Sequence, residues 1–305
     1  MPFTDVGHAS MVPAKAVGEA FEKPSHLRPQ SRKSLLQNAV NNMRIVSYNF
    51  RFGGSGRVQW REVFERLQPD ILLAQECSPP EDHMPPQIEG QRREKAIWAP
   101  VESRGGTLNW GSALFVERYL TVPVVLPDYS GWVVGGEIEE FHCPDGRICR
   151  VRAFSLHAPT AQKPVTKVVN AILDMLLDQR DGCDIVIGGD FNLTVGERHH
   201  SESRTTEEAH RKIQARLRDE FGLINCWQAA NPDMPLAQTL RWNGDRASPY
   251  HCDGIFVPQS WEPHLETCSV LSDGLWEGLS DHNPVVAEFK CTGRTSNDQV
   301  TLLQD

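Results

Sequence analysis

The sequence predicts an α/β protein whose sheets are mixed or antiparallel and carry helices on their outer faces. Three observations lead there. Strand-like runs outnumber helical stripes, several runs follow one another with no helix between them, and four runs are apolar along their length. A doubly wound parallel sheet would place a helix in nearly every connection, and the chain does not.

Taken in order, residues 1–42 mix Pro2, Pro13, Pro24 and Pro29 with scattered charge and hold no sustained period. They predict a mobile tail with a short helix near Ser34–Val40. The strand-like runs are Arg44–Asn49, Ile71–Glu76, Ser112–Val116, Val122–Leu126, Ile148–His157, Asp184–Asp190, Cys252–Val257 and Pro284–Lys290. Their β-branched and aromatic content supports the assignment. Trp60, Val63, Phe64 and Leu67 recur at helical spacing. Val165, Val168, Val169, Ile172, Leu173 and Leu176 make a cleaner stripe, and Ile213, Leu217 and Phe221 repeat every fourth position. Each stripe reads as a helix face turned to the core. No repeat or linker interrupts residues 43–290, which are expected to form one domain, and the polar residues 291–305 read as a frayed tail.

Composition narrows the function classes. The chain of 305 residues has 31 Lys+Arg against 40 Asp+Glu, a formal charge of −9. That balance argues against a protein held to nucleic acid by a broad basic face, and leaves room for one that handles phosphates through a bound cation. No apolar run is long enough to span a membrane. The first residues lack a basic and an apolar leader region, and the 8 cysteines contain no CxxC pair. A cytoplasmic monomer with unpaired thiols is the expectation.

The informative feature is where polar residues sit. Ile45–Tyr48 leads to Asn49, Ile71–Ala74 to Gln75 and Glu76, Ala153–Leu156 to His157, and Ile185–Gly189 to Asp190, with Asn192 two positions on. Asp253 and the pair Asp281–His282 border two further runs. A buried strand delivers its terminal side chain with little positional freedom, which suits chemistry that needs close placement. Singly, each has an ordinary reading, such as a turn former for Asn49 or a cap for Asp281. Their recurrence at one kind of location outweighs those readings. If the ends converge, Glu76, Asp190, Asp253 and Asp281 crowd like charges together. A divalent cation is the economical remedy, and ligation by carboxylate and amide oxygens selects Mg²⁺ or Mn²⁺ over zinc. An extended backbone would aim Asp190 and Asn192 to the same side.

At these residues the sequence resembles the endonuclease/exonuclease/phosphatase superfamily. The matching segments are SYN at 47–49, PDILLAQE at 69–76, NWGSALF at 109–115, SLHAP at 155–159, GGDFN at 188–192, CDGIF at 252–256 and SDHNP at 280–284. The resemblance implies a four-layered α/β sandwich, two mixed β-sheets packed face to face and flanked by helices. It implies that Glu76 binds the cation with help from Asn49, and that Asp281 approaches the metal region. Asp190 and Asn192 would orient water and phosphate. His282, held by Asp253, would act as base or phosphate-contacting imidazolium, and His157 would protonate the leaving oxygen or stabilise phosphoryl charge. Cys252 and Gly254 flank Asp253 where the family often has Arg or Lys and Tyr, which removes groups that touch substrate.

Loops around such a site select the substrate. Asn109 and Trp110 are candidates for its floor, and Arg241 with Trp242 offers a cation and an aromatic. Phe50–Gly56 reads as a turn rather than a phosphate cradle, since no GK[ST] follows, and His199–Glu202 as a solvated loop. The leading expectation is a metal-dependent phosphodiesterase of nuclease type acting on a phosphodiester, nucleic acid included. The alternatives are a phosphatase or phosphodiesterase acting on a lipid or small phosphorylated metabolite, and a catalytically silent binding module.

Overall fold

The computed structural model describes residues 42–54, 56–80, 96–103, 106–161, 164–202, 204–247 and 250–292. The expected tails, including the helix near 34–40, fall on residues 1–41 and 293–305, outside the described residues. The chain order begins β1 (Asn42–Gly53), α1 (Arg57–Glu62) continued by a π turn over Val63–Leu67, β2 (Ile71–Cys77), β3 (Ala96–Ser103), β4 (Gly106–Val116) and β5 (Val122–Val124). Next come β6 (Val133–His142), β7 (Ile148–His157), α2 (Val165–Asp178), β8 (Asp184–Asp190), α3 (Glu208–Asp219), β9 (Leu223–Asn225) and α4 (Cys226–Ala230). The last are β10 (Asp253–Pro258), β11 (Leu265–Val270), α5 (Gly274–Leu279) and β12 (Val285–Lys290).

Two six-stranded sheets result, ordered β11-β12-β1-β2-β4-β3 and β5-β6-β7-β8-β10-β9. Each contains a single parallel pair, β1 with β2 and β7 with β8, among antiparallel neighbours. Parallel neighbours need a crossover. The stripes at 60–67 and 165–176 are those crossovers, which is why helical periodicity appears where it does. Because both pairs are parallel, Asn49 stands beside Gln75 in one sheet and His157 beside Asp190 in the other.

Alternate residues of the same strand feed different layers. Ile45, Ile71, Leu73 and Leu114 of the first sheet pack between the sheets with Val151, Ala153, Val186 and Ile255 of the second. Val46, Leu72 and Phe115 turn outward onto Trp60, Phe64 and Leu67. Phe154, Leu156, Ile185 and Ile187 turn outward onto Val169, Ile172, Leu173 and Leu176 of α2 and Ile213 and Leu217 of α3. Helix, sheet, sheet and helix make the four expected layers. No described helix is long and apolar enough to cross a membrane.

The sequence runs miss β3, β6, β9, β11 and the short helices α4 and α5. In β6 the residues Gly135 and Gly136 and the three glutamates hide the strand signal. A Cβ at Gly135 would come within 2.5 Å of the Phe154 ring, so the glycine is required by packing that only the fold reveals. β11 is an edge strand with an interrupted register and a single buried residue, so its pattern carries no clear core face.

Candidate active site

One end of the two sheets gathers the polar residues. β1, β2, β7 and β8 bring Asn49, Glu76, His157 and Asp190 to it, β10 starts there with Asp253, and the Ser280–Asn283 turn ahead of β12 adds Asp281 and His282. Glu76, His157, Asp190, Asn192, Asp281 and His282 line a cavity of about 590 Å³. Asn49 and Asp253 are buried behind that lining.

Gly189 makes the convergence sterically possible. It sits at φ +149°, and a Cβ there would lie 1.8 Å from the Leu156 carbonyl oxygen. Any other residue would push β8 away from β7 and separate Asp190 from His157. Further hydrogen bonds brace the strands near the site, the first across the two sheets and the second within one. Gln75 Nε2 donates to Ser155 Oγ (2.9 Å), which donates to the Ala74 carbonyl (2.8 Å). Ser280 Oγ donates to the Asn49 carbonyl (2.8 Å) and accepts from the His282 N–H (3.1 Å).

The carboxylates are closely bracketed. Asn49 Nδ2 donates to Glu76 Oε1 (3.1 Å) and Asp190 Oδ2 (3.2 Å), while the Phe52 N–H donates to Glu76 Oε2 (2.8 Å). His157 Nε2 stands 3.3 Å from Glu76 Oε1 and 3.8 Å from Asp190 Oδ2. His282 Nε2 also stands 3.8 Å from Asp190 Oδ2, and its Nδ1 faces both Asp253 oxygens at 3.0 and 3.1 Å. Asp281 lies nearer the rim, with Oδ2 3.4 Å from Arg51 Nε. Two imidazoles and one guanidinium thus carry part of the compensation that the sequence assigns wholly to a cation.

Burial and the neighbouring Asp253 charge push the Asp190 carboxyl up to about 6, against the pull of His282 and His157. Burial alone would lower His282, but the charges of Asp253 and Asp190 outweigh it and raise the ring to about 10. Without a cation, these surroundings favour the imidazolium form of His282 and the protonated form of Asp190.

The donor set fits a hard divalent cation. Glu76 and Asp190 offer carboxylate oxygens within 4.8 Å of one another, and the buried Asp281 Oδ1 has no hydrogen-bond partner. Asn49 is placed differently from the expected ligand. It turns Nδ2 to the carboxylates and Oδ1 to the Arg51 N–H (2.9 Å), so it braces them instead of presenting oxygen.

Other expected residues divide. The backbone is not extended after Asp190: Asn192 has φ +52°, its N–H donates to Asp190 Oδ1 (2.9 Å), and Nδ2 donates to the Ala158 carbonyl (2.9 Å). This Asx-type turn still leaves both residues on the cavity. Trp110 lines the cavity, whereas Asn109 is exposed and stands outside the lining because neighbouring strand residues face opposite ways. Arg241 lines it too but is only 5% exposed, and its guanidinium donates to Asn283 Oδ1 and the Ser280 carbonyl. It braces the Ser280–Asn283 turn. Sequence reasoning missed Phe52 and Trp132. Phe52, 68% exposed, meets Trp110 at 5.7 Å, Trp110 meets Trp132 at 5.7 Å, and Trp132 meets His157 at 5.0 Å. The Gly-rich context of Phe52 signalled only a turn. Arg51, Phe52, Glu76 and Asn192 all adopt positive φ, which concentrates backbone strain around the cavity.

A model of the Endonuclease/Exonuclease/phosphatase family matches residues 46–282, well over half of the chain. No curated protein sequence matches it. Among solved structures, the AP endonuclease LMAP from Leishmania major is similar with TM-score 0.58 at 13% identity, over 87% of this chain and 92% of that one. The 3' phosphatase NExo from Neisseria, bound to a product DNA hairpin, gives TM-score 0.58 at 20% identity over 81% and 99%. An endonuclease/exonuclease/phosphatase from Beutenbergia cavernae gives 0.57 at 14% identity over 83% and 72%. At such identities the structures attest the fold, and the family match attests descent. With the motif segments falling in order along the strands that meet at the cavity, the chain belongs to the endonuclease/exonuclease/phosphatase family.

Proposed function

We propose that the protein is a divalent-metal-dependent phosphodiesterase of nuclease type. The observation that supports it most is the convergence of Glu76 and Asp190 with His157 and His282 on one cavity. Glu76 and Asp190, braced by Asn49, are the residues that would hold Mg²⁺ or Mn²⁺, with Asp281 at the rim. When bound, the ion neutralises charge on phosphoryl oxygens.

The chain's own groups do the remaining work. Asp190, bracketed by the Asn49 amide and the two imidazoles, and Asn192 beside it are placed to orient water and phosphate. His282 stays cationic because Asp253 faces its Nδ1, and so sets positive charge where the transition state gathers negative charge. His157 offers its Nε2 proton to the leaving oxygen, a role open to imidazole near neutral pH. His157 is flanked by Trp132, a low-dielectric wall that strengthens these interactions.

The aromatic row of Phe52, Trp110 and Trp132 favours a substrate with a planar base to stack. Trp242, 56% exposed, offers another face across the same cavity. A cavity of about 590 Å³ suits one nucleotide at a strand end or loosened from its stack, and the −9 charge disfavours long duplex contact. The AP endonuclease and the DNA-bound 3' phosphatase of similar fold point the same way by name. The same small, acid-balanced site supports a second reading, hydrolysis of a small phosphorylated metabolite.

The test is turnover of bis-p-nitrophenyl phosphate with Mg²⁺ or Mn²⁺, followed by single-stranded DNA, duplex, RNA, phospholipid and sugar phosphates. Expected are cation-dependent turnover, loss in EDTA, and loss of about 10²-fold or more in Glu76→Ala. Turnover indifferent to cation and to Glu76→Ala would reject the reading. No turnover of any substrate would favour a silent binding module.

A further inference from the structure

The hairpin joining β6 to β7 lies at the other end of its sheet from the cavity. Its turn is closed by the Gly146 N–H to the Cys143 carbonyl (3.0 Å) and the Cys143 N–H to the Arg147 carbonyl (2.8 Å). Within it, Cys143 Sγ and Cys149 Sγ stand 2.8 Å apart. Cys149 Sγ is 3.4 Å from Asp184 Oδ2 at the start of β8.

We propose that Cys143 and Cys149 form a reversible disulfide, a redox modification site that staples the β6–β7 hairpin. The separation distinguishes this from a metal site. Two thiolates bound tetrahedrally to zinc, with Zn–S near 2.3 Å, stand about 3.8 Å apart, whereas a disulfide closes to about 2.05 Å. Sulfurs at 2.8 Å are nearer to the bond. The third candidate ligand, Asp184 Oδ2, is already held by Arg147 Nη2 at 2.9 Å. Among all eight cysteines Cys149 is the one that is not fully buried, so an oxidant reaches this pair first.

The chemistry needs a small-molecule disulfide such as glutathione disulfide. The Cys149 thiolate attacks one of its sulfurs, giving a mixed disulfide and releasing one glutathione thiolate. The Cys143 sulfur then attacks Cys149 Sγ, the protein S–S bond forms, and the second glutathione leaves. The two cysteine protons end on the two released thiolates, so two protein thiols are oxidised and one disulfide is reduced. Contact with Cys149 and burial both hold the Cys143 thiol well above the ordinary range. Cys143 therefore acts as the resolving thiol. The closed loop is short, so the gain in thermal midpoint is modest, about 3–8 °C. Cys149 and His157 are eight residues apart on one strand, roughly 26 Å, so oxidation leaves turnover unchanged.

Trypsin reads the bond directly, because it cuts at Arg147 and Arg150 between and after the cysteines. The full chain is equilibrated in glutathione redox buffers, alkylated, digested and mapped by mass. Expected is a peptide ending at Arg147 joined to Ile148–Arg150, separated by reductant, together with a raised thermal midpoint. Cys143→Ser should instead leave a lasting glutathione adduct on Cys149. Recovery of both cysteines as alkylated thiols in oxidising buffer, a lasting adduct on Cys149 in the wild type, or zinc uptake lost in Cys149→Ser would overturn the proposal.

Discussion

Replacing Asp253 by Asn isolates the polarising role behind His282. Both Asp253 oxygens face His282 Nδ1, at 3.0 and 3.1 Å, and Asp253 is about 1% exposed, so neither water nor another cation takes up its charge. The substitution conserves volume and removes one negative charge. Without that charge the ring loses its largest source of cationic stabilisation and can present the wrong tautomer to the cavity. An Asn in place of the Asp that orients a catalytic His can lower kcat by about 10⁴-fold, and contact distances of 3.0 Å rather than the shortest charged bonds argue for less. The expected loss is about 10²–10⁴-fold in kcat, or roughly 3–5 kcal/mol of barrier. The thermal midpoint should fall, because the buried His282 imidazolium loses the carboxylate that faces it, and relief of the repulsion between Asp253 and Asp190 offsets only part of that loss. The assay is bis-p-nitrophenyl phosphate turnover at saturating Mn²⁺ beside a melting curve. Turnover within threefold of wild type, with the midpoint unchanged, would refute the dyad.

Gly189→Ala should destabilise by about 2–6 kcal/mol, from a strained φ and a Cβ set against the Leu156 carbonyl, and chemical denaturation measures it. A loss under 0.5 kcal/mol would show that β7 and β8 can part freely. In EDTA the raised groups set the sign of the pH response, since the folded state keeps protons that the unfolded state releases. His282 contributes stability that is complete below pH 6.5 and is lost as pH rises to about 10. Asp190 adds a loss in the same direction between pH 3.8 and about 6. The wild-type midpoint should therefore fall more steeply from pH 6.5 to 10 than that of His282→Asn, and parallel curves would count against a cationic His282.

The fold was legible because burial on both faces writes a strong signal. The largely apolar runs at 45–48, 71–74, 153–156 and 185–187 read as strands, and the structure makes the two helical stripes between them the crossovers of its parallel pairs. β6 and β11 were not legible, since glycine and charge in one and edge exposure in the other erase periodicity. The site residues were legible for a related reason. A polar side chain ending a buried strand is conspicuous, as Asp190 and His157 are, whereas Phe52 and Trp132 gain meaning only from what they face. Arg241 shows the limit of reading type without direction. Its charge suggested a phosphate contact, yet the guanidinium turns inward to brace the turn that carries His282.

The location of the site follows from chain direction. Parallel pairing places two carboxyl-terminal strand ends side by side in each sheet, and packing the sheets face to face brings both pairs to one rim. The start of β10, antiparallel to β8, then puts Asp253 opposite Asp190 and creates a repulsion that folding must offset. Two imidazoles lie against Asp190 and the Asn49 amide touches it, but the carboxyl still sits well above its usual range. The protein alone therefore leaves the cluster under-compensated. A bound cation would lower Asp190 again and should stabilise the fold in proportion to its affinity, an effect that Glu76→Gln would reduce. On the proposed reading, affinity for a divalent ion and reactivity toward a phosphate would share one electrostatic origin: an excess of negative charge, held in a fixed and water-poor place, that recruits the cation on which the phosphate would sit.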